Sequence, residues 1–90
     1  MVKVQHLSGD EYEVKVDGTT RTTHHVRLRD VDRQRLGGKS VSAGQVIEES
    51  FRFLLEREPN TSILSSFELP LIGKYFPQYE REIRERLKQG

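Results

Sequence analysis

The chain has no cysteine, no tryptophan, one methionine and one alanine in 90 residues. The lack of cysteine excludes disulfides, thiolate metal ligands and cysteine nucleophiles together. Without tryptophan, and with a single alanine, the core has to be assembled from bulky aliphatic residues and phenylalanine. No apolar run exceeds three residues, whereas a membrane-spanning helix needs about 18 or more. A charge excess of one sign is missing too. Fifteen Lys and Arg stand against 14 Asp and Glu, a formal net charge of +1, which excludes a chain acting as a bulk polycation or polyanion. The N-terminal Met1-Val2-Lys3-Val4-Gln5-His6 lacks the apolar centre of a signal peptide, so a cytoplasmic location is expected. In that compartment the triplet Asn60-Thr61-Ser62 matches a glycosylation acceptor only by chance.

What is present suffices for a small core. Val, Leu, Ile and Phe number 25 of the 90 residues, above the share of about 20% that marks disorder. One domain over residues 1–90 is expected, with strands in 1–30 and helices in 43–89.

Residues 1–30 alternate. Val2, Val4 and His6 share one side of a first strand. Tyr12, Val14 and Val16 share one side of a second, and Thr22, His24, Val26 and Leu28 one side of a third. Short turns with Gly9 and Gly18 separate the runs, the pattern of an antiparallel meander. Register follows from the side chains. Pairing Val4 with Val14 and His24 also sets Val2 by Val16 and Thr22, and His6 by Tyr12 and Val26. On the opposite face the same register sets Glu11 by Arg27, Glu13 by His25 and Asp17 by Arg21. A slip of one residue destroys both patterns.

The second half reads as helical. Asp30 is placed to cap a short turn through Val31–Leu36 that ends at Gly37-Gly38. Ser42 and Gln45 form a capping box, which opens a helix that Pro59 stops. Val46, Ile47, Phe51, Phe53, Leu54 and Leu55 cover a wide arc of that helix, so it is expected to lie between the sheet and the C-terminal segment. Pro77 opens a last helix with a narrow stripe of Tyr79, Ile83 and Leu87 and with Glu–Arg pairs at i,i+4. The expected class is α+β: a three-stranded antiparallel meander (about 2–7, 11–17 and 21–29), then helices (about 43–58, short turns over 61–76, and 77–89) packed on one face.

The stretch 51–59, with Ser62-Ile63-Leu64, Phe67 and Tyr75-Phe76-Pro77, resembles the C-terminal pattern of small prokaryotic families of unknown function. The resemblance covers the last half of the chain and implies no activity and no site residue.

The chemical motifs are few. Gly38-Lys39-Ser40 has the ending of a phosphate-binding loop, but Arg33 occupies the position of its first glycine and no α/β domain fits in this length. His24 and His25 point to opposite faces of a strand and cannot share an ion. His24 is expected to find a partner inside and His25 to pair with Glu13 outside. No metal and no cofactor are expected, and no nucleophile elbow or paired carboxylates point to catalysis.

Two binding readings remain. Residues 15–39 carry seven Lys and Arg against three Asp. The sheet register neutralises Arg21 and Arg27, which leaves Arg29, Arg33, Arg35 and Lys39 as candidates for nucleic-acid contact. No aromatic platform accompanies them. The second reading rests on Ile63, Leu64, Phe67, Leu71, Ile72, Tyr75 and Phe76. These either fill the core or form a protein interface, most simply in a symmetric dimer. The third strand is read as a sheet edge whose arginines discourage or direct edge pairing. The expected function is a small non-catalytic protein-interaction or regulatory module, self-associating or with a protein partner. The alternative is a nucleic-acid binder using segment 21–39.

Overall fold

The computed structural model describes residues 1–88. Strands β1 (Val2–Ser8), β2 (Glu11–Val16) and β3 (Thr22–Arg27) form the antiparallel meander. Val4 lies opposite Val14, Val14 opposite His24, and Tyr12 opposite His6 and Val26. The expected pairing therefore holds at each of these positions. The outer face agrees with it: Arg27 meets Glu11 at 3.0 Å, and Arg21 meets Asp17 at 2.7 Å beyond the strand ends. An irregularity between His6 and Ser8 bulges the end of β1 at Leu7.

The sheet has four strands, not three. A short strand β4 (Ser66–Glu68) runs parallel to β3, with Phe67 opposite Val26. Three residues are too few for alternation to show, and helical turns flank them on both sides. The third strand is therefore interior, and the sheet edges are β1 and β4. Leu28 and Arg29 have left β3, and Leu28 is buried beneath the sheet.

Helix α1 (Asp30–Gly37) is a full element rather than a turn. Arg29, not Asp30, occupies its N-cap and makes no side-chain cap bond. Asp30 instead accepts from the side chains of Arg33 and Gln34, and these bonds, Arg33 first, hold its carboxyl below the usual carboxylate range. Helix α2 (Ala43–Leu55) opens on the Ser42–Gln45 capping box. It ends three residues short of the expected Glu58, and the Arg57 guanidinium donates back to the carbonyl of Phe53. A 3-10 turn (Asn60–Ser62), β4, a second 3-10 turn (Leu69–Leu71) and the single-turn helix α3 (Ile72–Tyr75) follow. Helix α4 spans Tyr79–Lys88, so Pro77 and Gln78 precede it; Gln89, the expected end, lies outside the described residues.

Helix α2 packs directly on the sheet at β1, and α1, α3 and α4 pack around it and one another. Val14, Val16, Val26, Leu36, Val46, Ile47, Phe51, Phe53, Leu69, Tyr79 and Ile83 form one buried cluster. Helix α2 lies against β1 on one side and α4 on the other, the central position expected from its wide apolar arc. Helix α4 is held by its narrow stripe and by ion pairs. Arg86 reaches Glu56 at 2.6 Å, Arg57 reaches Glu82 at 3.2 Å, and Arg35 of α1 bonds Glu80.

Candidate functional site

An apolar groove of about 400 Å³ opens between the C-terminal end of α2, segment 62–67 and α3. Leu54 forms its floor with buried Ile63 and Ile72; half-buried Phe67, Leu71 and Phe76 form its sides. Leu64 and Tyr75 stand at the mouth, 47% and 65% exposed. All seven candidate interface residues line this one groove. The question of core or interface therefore divides by residue. Ile63 and Ile72 are core, Leu64 and Tyr75 are surface, and the other three are shared. The polar lining is Ser62 and Glu58, and Glu58 has no ion-pair partner among the described residues.

A polar relay fixes this wall to the sheet. Leu64 offers only a carbonyl, so His24 donates to it through Nδ1 at 2.8 Å. With that proton on Nδ1, Nε2 accepts from the Thr22 hydroxyl at 2.8 Å. Thr22 accepts in turn from Asn60 Nδ2 at 2.9 Å, and Asn60 also donates to the carbonyl of Thr20 at 2.7 Å. The inner partners expected for His24 are thus a groove carbonyl and a strand hydroxyl. Asn60 is buried and its amide is engaged with the Thr20 carbonyl and the Thr22 hydroxyl, so in the folded chain it is a clamp rather than a glycosylation acceptor. It lies so close to Gly18 that a Cβ there would come within 2.8 Å of Asn60 Oδ1. Sequence reasoning missed Asn60 and Thr22 as parts of the wall, because their partners are about 40 residues away in the chain.

The basic candidates are engaged differently. Arg33 pairs with Asp30 at 3.0 Å and donates to the carbonyl of Val41 at 2.8 Å. Arg35 is held between Asp32 and Glu80. Arg29 lies 3.7 Å from Glu68. Lys39 is exposed and has no carboxylate partner among the described residues. The four are spread along α1, from its N-cap at Arg29 to Lys39 beyond its last residue, and three of them already face acids.

Among the described residues no three His, Asp or Glu side chains are grouped to hold a metal ion, and no helix is long and apolar enough to cross a membrane. No buried side-chain nitrogen or oxygen lacks a hydrogen-bond partner among them. Compared with models of protein families, with curated proteins and with solved structures, the chain matches none.

Proposed function

We propose that the protein is a non-catalytic interaction module whose groove takes an amphipathic segment of a partner protein. The observation that carries this reading is the convergence of Ile63, Leu64, Phe67, Leu71, Ile72, Tyr75 and Phe76 on one concave surface with two large apolar side chains exposed at its mouth. An apolar groove with a polar rim suits the apolar face of a short helix. Glu58, at the rim with no ion-pair partner among the described residues, calls for a Lys or Arg on the occupant. The relay through His24 and Asn60 supports the reading, because a preorganised wall loses little freedom on binding.

The runner-up is nucleic-acid binding through Arg29, Arg33, Arg35 and Lys39. The internal pairing of the three arginines favours the groove over it, since phosphates would have to displace carboxylates already in place.

The test is a peptide-library selection on the intact chain, repeated on Leu64→Glu and Tyr75→Glu. The expected peptides carry apolar residues at helical spacing with one basic residue, and lose about tenfold or more in affinity on either variant, as removal of a contact residue at an interface centre does. They should hold their affinity between low and moderate salt. Peptides that bind both variants unchanged would remove the groove from consideration. Steep salt dependence, with nucleic acid competing, would move the function to the basic segment.

A further inference from the structure

We infer that the open edge of β1 is a self-association surface, on which a second copy of this chain pairs antiparallel about Val4 and continues the sheet to eight strands.

The backbone supplies the first argument. Met1 and Asp17 exchange hydrogen bonds at 3.3 and 2.9 Å. They are thus a hydrogen-bonded pair of the β1–β2 ladder, and the pattern alternates from there. Lys3 and Gln5 turn their N–H and C=O groups toward β2. Val2, Val4 and His6 turn theirs outward, where none of the described residues forms a strand. The other edge is protected. Strand β4 has only three residues and passes directly into helical turns. Strand β1 has seven, with no proline and a single charged residue, Lys3, so it lacks most of the features that blunt an edge.

The register supplies the second argument. Outward groups must meet outward groups, which leaves five antiparallel self-pairings of Val2, Val4 and His6, and centring on Val2 or on His6 pairs that residue only with itself. Centring on Lys3 sets Lys3 against Lys3 of the second copy. Centring on Gln5 pairs Val4 only with His6. Centring on Val4 pairs Val2 with His6, Val4 with Val4 and His6 with Val2. It therefore uses every outward group, and it sets Lys3 beside Gln5 with no like charges facing. The same register sets Met1 opposite Leu7 on the outer face at both ends. These are two of the exposed large apolar residues, 77% and 43% accessible. Helix α2 against β1 backs the edge with a packed layer.

The inference is independent of the groove, which lies at the opposite, β4 side of the sheet. It is tested by sedimentation equilibrium on the full chain and three variants. Val4→Pro removes an outward N–H and leaves the β1–β2 bonds in place. The wild type should sediment at twice the 10.5 kDa chain mass, and Val4→Pro at the chain mass with an unchanged circular dichroism spectrum. Gln5 provides a pair of opposite sign. Gln5→Lys sets a second ammonium group against Lys3 of the other copy, twice per dimer, and should weaken association about five- to tenfold; Gln5→Glu should strengthen it about as much. Within one chain position 5 faces Glu13, so folding stability should move the other way, which separates association from folding. Should Val4→Pro fail to fold, the Gln5 pair still decides. A monomeric wild type would overturn the inference. So would a dimer whose affinity is the same in both Gln5 variants.

Discussion

The imidazole of His24, on the buried face of β3, donates to the carbonyl of Leu64 on the groove wall at 2.8 Å. One side chain thus connects the centre of the sheet to the surface proposed to bind. His24→Phe keeps the ring volume and removes both bonds. It should cost about 1–3 kcal/mol of stability, because the Leu64 carbonyl and Thr22 hydroxyl lose their buried partner. Amide exchange should accelerate at His25, whose N–H donates to the Ser65 carbonyl at 2.7 Å, more than at Val14. Uniform acceleration would mean that the ring serves only as core.

Asn60 performs the companion task at the β2–β3 turn. Asn60→Ala removes its bonds to Thr20 and Thr22, and a loss of about 1–3 kcal/mol in urea unfolding is expected. Gly18→Ala should destabilise through the same site, since the new methyl meets the Asn60 amide. In Asn60→Ala the clash disappears, so Gly18→Ala should cost less there. Additive losses would contradict the clamp.

A second buried polar contact joins α2 to α4. The Ser50 hydroxyl donates to the carbonyl of Val46, so Tyr79 donates to Ser50, at 2.6 Å. Ser50→Ala strands the phenol proton and should cost about 1–3 kcal/mol. Tyr79→Phe leaves Ser50 with its helix bond and should cost about 0.5–1.5 kcal/mol. The double variant should be more stable than the sum of the two losses implies, measured as coupling in a double-mutant cycle.

Tyr79 also sets a response to alkali. Burial pushes its phenol well above the ordinary value of 10.0, against the smaller opposing effect of Ser50. In the unfolded chain the phenol ionises near its ordinary value; in the folded chain it stays protonated. The folded state then binds more protons, so this contribution is intact below about pH 10 and falls by up to about 1.4 kcal/mol per pH unit above it. Tyr79→Phe should flatten that decline in thermal unfolding between pH 9 and 11. An unchanged slope would show that other groups cause it.

The meander was legible because its sequence specifies the register twice, by Val4–Val14–His24 within and by Glu11–Arg27 outside. The position of α2 was legible from the breadth of its apolar arc. Strand β4 was not, because pairing of Ser66–Glu68 with His25–Arg27 depends on chain brought back across about 40 residues. The same distance hid the roles of Asn60 and Thr22. The seven apolar residues of the groove were visible as a surplus. Their division into floor and mouth was not, since Ile72 and Tyr75 differ by burial rather than by pattern. Arg35 looked like free charge because only Asp32, three residues before it, was near in the chain, while Glu80, its second partner, lies on another helix.

That division has its own consequence. Ile72→Ala should cost about 2–5 kcal/mol as a core truncation, whereas Leu64→Glu and Tyr75→Glu should stay within about 0.5 kcal/mol of the wild type. A large loss in either mouth variant, read by thermal unfolding, would make the mouth part of the core.

The most direct measurement is a methyl and amide NMR titration of the intact chain with a selected amphipathic peptide. The account predicts shifts in the methyl groups of Leu54, Ile63, Leu64, Leu71 and Ile72, with the amides of Arg29, Arg33, Arg35 and Lys39 unmoved. Shifts confined to those basic residues, with the groove methyls still, would contradict it.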